Sequence, residues 1–376
     1  MRVAVTTLVF CVTSLLALGL VMLYSSSMTQ VGAHYLIMQL IWCVVGFVFC
    51  VVAASADYQL LKKYAWPIFG FAVLLMLLVL VPHIGRKING ARRWFDFHGV
   101  RFQPSELGKI ALIIGLAWYG DRFQRRMKTF KWGICGPIFI IGTVLGLIFV
   151  EPDRGTTILL AAVSGSILLL AGVQWKFIVP PVVLAIVGLV VSIIHDPMRM
   201  KRIFSWLDLE ANKDGVGYQA YQAMIALGSG GWNGLGLGNG RQKLGFVPEH
   251  HTDFIFSIIG EELGLIATLL VVVAFVVIAI CGIYIALHSR DSFGMLLATG
   301  ITLLISLQAA INIGVVTSAL PNKGLPLPFI SYGGSNLLAM LTCVGILLSV
   351  ARQADRLKIS ATDINPEANP FAAKGV

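Results

Sequence analysis

Acidic residues are scarce in this chain, 18 against 28 lysines and arginines in 376 residues, so their placement is informative. Asp96, Glu106, Glu151, Asp153, Glu249, Asp253, Glu261 and Glu262 lie at the ends of long apolar runs, and no acid falls at the centre of one. Asp253 stands out, within Pro248-Glu-His-His-Thr-Asp-Phe-Ile-Phe and directly ahead of a long apolar stretch. A carboxylate so placed could serve as a general base. It is equally a natural helix N-cap, and a helix N-terminus lowers a carboxylate pKa, which weakens a base. Glu261 could oppose that shift: in a continuous helix the eight-residue spacing is a turn of about 800°, only about 80° off the face of Asp253. Glu262 would point nearly the opposite way. His250 and His251 invite a metal reading, but adjacent histidines in a loop lack the i, i+4 geometry of a helical zinc site, and a packing role is favoured.

Two further groups carry charge at useful spacings. Glu106 and Lys109, three apart after Gln103-Pro-Ser, share a helix face and can neutralise one another. Either they form a structural ion pair, or Lys109 and Arg93 hold a pyrophosphate while Glu106 orients them. Glu151-Pro-Asp-Arg-Gly-Thr-Thr157 reads as a tight connection whose Asp153 and Arg154 need be no more than a solvated turn.

The elements that must position these residues are set by composition. Hydrophobic residues make up 57% of the chain and charged residues 12%. A soluble domain carries about 25% charge, so a soluble fold, disorder, a coiled coil and a disulfide-stapled fold are excluded. Long continuous apolar runs, in place of short alternating segments, exclude a membrane barrel. The fold class is an all-α polytopic membrane protein. About ten spans are expected, near 3–24, 35–54, 64–81, 107–119, 132–150, 156–173, 177–194, 263–287, 295–320 and 330–350. The first is too long for a signal-peptide core and has no clear cleavage site, so it is read as an uncleaved span. Residues 1–356 form one membrane domain with a large outer loop, 195–253, between spans seven and eight; 357–376 read as a mobile cytoplasmic tail. The six cysteines lie in apolar runs without a Cys-x-x-Cys pair, so no disulfide or zinc site is implied.

Lysine and arginine placement in short loops puts both termini in the cytoplasm. Two outer segments break that bias. Residues 83–104 hold Arg86, Lys87, Arg92, Arg93 and Arg101, and the long loop holds Arg199, Lys201, Arg202, Lys213, Arg241 and Lys243. Long loops translocate regardless of charge; the functional alternative is an outward basic cleft for an anionic ligand, which requires the two segments to converge. The net charge of +10 therefore points to lipid head groups and not to nucleic acid. Within the long loop Tyr218, Tyr221, Met224 and Ile225 recur at helical spacing, suggesting an interfacial or re-entrant amphipathic helix. The glycine string 228–240 lacks a preceding strand, so tight turns explain it better than a nucleotide site.

Together these segments resemble the SEDS family (shape, elongation, division and sporulation). The resemblance rests on Glu151-Pro-Asp-Arg-Gly-Thr-Thr, Gly217-Tyr-Gln, Gln242-Lys, the run Pro248 to Gly264, and Pro321-Asn-Lys-Gly-Leu-Pro-Leu-Pro-Phe-Ile-Ser-Tyr-Gly-Gly-Ser335. Arg93-Trp94 and Gln103 to Lys109 also fit. It implies an inverting peptidoglycan glycosyltransferase that polymerises lipid II at the outer face of the bacterial cytoplasmic membrane. Asn322-Lys323-Gly-Leu-Pro-Leu-Pro and Tyr24-Ser-Ser-Ser lie closer to the septal than to the elongation branch; His251 departs from the expected pattern. The implied catalytic residue is Asp253. Arg93, Glu106, Lys109, Glu151, Asp153, Gln242, Lys243, Glu261 and Lys323 are the implied substrate-binding positions, with no metal ligand among them. No cofactor is required outright; a divalent cation, magnesium or manganese, is left open. Implied partners are lipid II, the undecaprenyl-pyrophosphate-linked glycan, a class B penicillin-binding transpeptidase and other division-complex membrane proteins. A lipid II flippase and a non-catalytic scaffold are the alternatives; mid-depth coupling carboxylates, which a flippase would favour, are not seen.

Overall fold

The computed structural model describes residues 1–27, 32, 34–88, 91–97, 100–247 and 251–364. Among the described residues thirteen α-helices run in chain order: α1 (Arg2–Ser27), α2 (His34–Ser55), α3 (Gln59–Lys63), α4 (Ala65–Leu80), α5 (Pro104–Arg122), α6 (Gly136–Val150), α7 (Arg154–Leu170), α8 (Trp175–Ile194), α9 (Pro197–Leu207), α10 (Tyr218–Ser229), α11 (Ile255–Leu287), α12 (Ser292–Val316) and α13 (Gly334–Ile364). Ten of them stand where the ten apolar runs were read. Among the described residues, seven helices are long and apolar enough to cross a membrane. The 22 residues of α2 would extend about 33 Å, enough for a hydrocarbon core of about 30 Å. The protein is an integral, polytopic helical membrane protein.

Helix starts follow local chemistry. Asp153, Asp196 and Asp291 cap α7, α9 and α12 by accepting from Thr156, Met198 and Gly294 backbone N–H groups. Pro104 opens α5 at a position where its missing N–H costs nothing. The centre of the bundle is formed by α5 and α12, packed on each other and on α7 and α13, with α2 along α13 and α1 along α11. Ile113, Leu116, Leu297, Ile301 and Leu347 are fully or almost fully buried there.

Three findings adjust the expectations. The segment after α4 is not loop: β1 (Arg86–Ile88), β2 (Ala91–Phe97) and β3 (Val100–Phe102) form an antiparallel sheet in the order β1-β2-β3. Strands this short and this charged carry little periodicity. The eighth span begins at Ile255, so Glu261 and Glu262 lie inside α11 and not ahead of it. At the other end, α13 continues to Ile364 into the segment expected to be a tail; residues 365–376, with Glu249 and His250, lie outside the described residues.

Candidate active site

At one end of the bundle a cavity of about 470 Å³ opens among five separate segments. Arg93 reaches it from β2, Asp153 and Arg154 from the start of α7, Arg199 and Arg202 from α9, Asp253 from the approach to α11, and Lys323 from the connection between α12 and α13. The basic segment 83–104 and the long basic loop thus converge. Period-two alternation puts Arg93 on the same strand face as buried Ala91 and Phe95, so it turns inward, and its Nε donates to the Glu151 carbonyl. Arg199 and Arg202, three apart, share one face of α9. The sequence places them in the basic loop but gives no reason to single them out; the Asp196-Pro197 cap signal before them was the available clue. Burial and the charge of Arg154 lower the Lys323 pKa. Five cations round one opening suit a multiply charged anion.

Three carboxylates line the cavity, and two of them cap helices. The oxygens of Asp153 accept from Thr156 N and Oγ1, both at 3.0 Å. Asp196 caps α9 and pairs with Arg199 at 2.8 Å. Asp253 is mounted differently. The N-cap of α11 is Phe254, and no side chain caps it, so Asp253 does not take the capping role its position suggested. Its own carbonyl accepts from Asn312 Nδ2 at 2.8 Å, and the same amide group donates to the Leu325 carbonyl at 2.7 Å. Ser331 Oγ donates to the Thr252 carbonyl at 2.6 Å and Tyr332 N to that of His251 at 2.9 Å. Three consecutive residues are thereby fixed by backbone contacts. The ring of His251 is stacked on Tyr35 with centroids 4.7 Å apart, a packing role.

Gly324 lies against that carboxylate. A methyl group at 324 would overlap Asp253 Oδ2, a movable side-chain end and not backbone. Gly324→Ala is therefore expected to leave thermal stability within about 1 kcal/mol of wild type while turning the carboxylate and lowering turnover about ten-fold or more. Unchanged turnover in a folded variant would refute this.

The remaining expected site residues fall elsewhere. Glu106 and Lys109 are buried in the bundle, paired at 2.8 Å with side chains 6% and 1% exposed. Lys109 Nζ also donates to Gln308 Oε1 at 3.2 Å, and Glu106 accepts from Asn336 Nδ2 at 3.1 Å. Neither Glu106 nor Lys109 lines the cavity that Arg93 reaches. Glu261, Gln242 and Lys243 gather beneath the glycine string. The Glu261 carboxylate accepts from the backbone N–H groups of Arg241 and Gln242, at 2.7 and 3.3 Å, so it is turned to that loop and not toward Asp253. Lys243 is buried in an ion pair with Glu262 at 2.7 Å and is not part of the cleft. The sequence could not separate these lysines from the cavity cations, because spacing along a chain says nothing of which charges meet.

Glu151 is fully buried at the end of α6, and neither carboxylate oxygen has a hydrogen-bond partner among the described residues. Burial, then the charge of Asp153, push its pKa up to about 8, with Arg93 opposing. A carboxyl whose folded pKa exceeds its unfolded one stabilises fully below the unfolded value, and that contribution is lost as pH rises through the folded one. The thermal midpoint is expected to fall progressively as pH rises from about 4.5 and to level off above about 8, and the fall should shrink in Glu151→Gln. Identical profiles for the two proteins would exclude it.

Asp153 and Asp196 are spent on helix caps, and among the described residues no three His, Cys, Asp or Glu side chains are grouped to hold a metal ion.

Comparison with known proteins agrees with this architecture. The cell cycle protein family model that joins FtsW, RodA and SpoVE matches residues 6–356. A probable peptidoglycan glycosyltransferase FtsW of Trichlorobacter lovleyi is 41% identical over 350 residues, covering 92% of each chain. The Coxiella burnetii protein of the same name is 40% identical over 93% of this chain and 96% of its own. Among solved structures, a chain from a study of how a peptidoglycan synthase complex coordinates polymerization and crosslinking superposes with a TM-score of 0.79 at 28% identity, over 92% of this chain and 97% of that one. The rod shape determining protein RodA of Thermus thermophilus gives 0.68 at 26% identity, over 92% and 96%. The chain belongs to the FtsW/RodA/SpoVE family of cell cycle proteins, the family its signature segments resemble.

Proposed function

We propose that this protein is a peptidoglycan glycosyltransferase that polymerises lipid II into glycan strands for septal wall synthesis. The observation that carries the proposal is the placement of Asp253 at a cavity ringed by Arg93, Arg154, Arg199, Arg202 and Lys323. The names of the relatives supply the reaction class, and their FtsW designation supports the septal assignment. The lysine and arginine distribution supports an orientation with both termini cytoplasmic and the cavity at the outer face.

The chemistry follows from the donor's leaving group. Asp253 takes the proton of the acceptor GlcNAc 4-hydroxyl as its oxygen attacks the donor MurNAc anomeric carbon. The bond from that carbon to the pyrophosphate oxygen breaks, undecaprenyl pyrophosphate departs with the electron pair, and the α-linkage becomes β-1,4. A pyrophosphate leaves without protonation when cations receive its charge, so one base and a cationic wall suffice. A class B penicillin-binding transpeptidase is the natural partner, in keeping with the synthase complex that holds a structural neighbour.

The test is polymerisation of fluorescent lipid II by the purified protein together with its cognate transpeptidase in liposomes, resolved by chain length on a gel. A ladder of glycan products is expected. No ladder from an intact complex, beside an active control enzyme, overturns the proposal.

A further inference from the structure

The glycine string 228–240 and the two buried acids of α11 have no part in the chemistry above, yet they form one unit. Helix α11 is broken at Gly264, with φ 77° and ψ −174°. Such a break frees carbonyls on one side and N–H groups on the other, which lipid cannot satisfy. The glycine string fills it. Leu235 N donates to the Glu261 carbonyl at 2.9 Å and Gly236 N to that of Glu262 at 3.0 Å, while Leu265 N donates to the Gly231 carbonyl at 2.9 Å. Gly234, at φ 78°, approaches so closely that a Cβ there would overlap the Glu262 backbone.

Side chains lock the same junction. Glu262 pairs with Lys243 Nζ at 2.7 Å and accepts from Gly238 N at 3.1 Å and Ser25 Oγ at 2.6 Å. Lys243 Nζ in turn donates to Ser25 Oγ at 3.0 Å. Lys243 and Glu262 are 2% and 0% exposed. A buried ion pair is tolerable only when its remaining hydrogen-bonding capacity is filled, and it then enforces one geometry. The short helical segment between Asp253 and the break is therefore held at both ends, by Asn312 at the Asp253 carbonyl and by this lock at Glu262.

We infer that the Lys243–Glu262 pair, closed by Ser25 of α1, is a positioning device that fixes the first turns of α11 and thereby the placement of Asp253. Lys243 and Glu262 are positioning residues that touch no substrate. The catalytic consequence rests on the polymerase reading; the mechanical one does not.

The experiment compares wild type, Ser25→Ala and the double variant Lys243→Met with Glu262→Met, which leaves no lone buried charge. Initial rates are measured against lipid II concentration, and backbone hydrogen exchange is followed over 251–263. In the double variant exchange over 251–263 is expected to rise and kcat to fall about ten-fold or more with KM within about three-fold, because sub-ångström misplacement acts on the transition state. Ser25→Ala should move the same way by less. Wild-type kcat, or unchanged exchange over 251–263 in a folded double variant, overturns the inference. If the double variant does not fold, Ser25→Ala decides: lowered kcat at constant KM supports the device and wild-type kinetics rejects it. If wild type makes no polymer, the polymerase reading falls and the exchange result alone judges the lock.

Discussion

Replacing Asp253 by Asn is expected to lower the rate of glycan polymerisation about 10²- to 10⁴-fold, the span that loss of a general base produces. The amide is nearly isosteric with the carboxylate, so the backbone contacts that hold 251–253 survive: Asn312 to the Asp253 carbonyl, Ser331 to that of Thr252 and Tyr332 to that of His251. What is lost is a group able to accept the acceptor hydroxyl's proton. Because the cationic wall remains, KM for lipid II should change little and the defect should lie in kcat. The measurement is the initial rate of chain growth from labelled lipid II, with binding to the transpeptidase as the folding control. A rate within about three-fold of wild type would remove Asp253 as the base, since that is far below any general-base contribution.

The second large effect concerns stability. Lys109→Met alone is expected to destabilise the protein by about 3–5 kcal/mol, because it strands the Glu106 carboxylate inside the bundle. The pair joins three helices: Glu106 on α5 accepts from Asn336 on α13, and Lys109 donates to Gln308 on α12. Removing both charges, in Glu106→Leu with Lys109→Met, should recover most of the loss, since two well-packed apolar side chains no longer need compensation. Thermal unfolding in one detergent, monitored by loss of monodispersity, gives the comparison. A Lys109→Met midpoint equal to wild type would show that the buried pair does not bear on stability. Were the double variant stable yet slow in polymerisation, the pair would be shown to shape the site as well as the bundle.

How much of this was legible beforehand differs by element. The ten apolar runs were, because a lipid-facing helix must be apolar over its whole length and no tertiary contact is needed to see it. Helix α10 was legible from Tyr218, Tyr221, Met224 and Ile225, whose spacing alone marks a helix face. The sheet of β1 to β3 was not, since strands of three and seven residues with five basic side chains between 86 and 101 have no buried face of their own until the bundle supplies one.

The charges divide in the same way. Local spacing was enough to pair Glu106 with Lys109, three residues apart on one helix, and the motif around Asp253 was enough to mark it. Which lysines and arginines face that carboxylate was decided only by the fold, because Arg93, Arg154, Arg199, Arg202 and Lys323 come from separate segments that meet once α7, α9 and the sheet have packed. The fold also took Lys243 and Glu261 out of the cleft and spent them on the break in α11. Composition and periodicity determined that the chain is a membrane bundle with its acids at the helix ends; long-range packing determined which of those acids line a cationic cavity. A charge's partner is set by three-dimensional distance and local burial, and neither is a property of the chain's order alone.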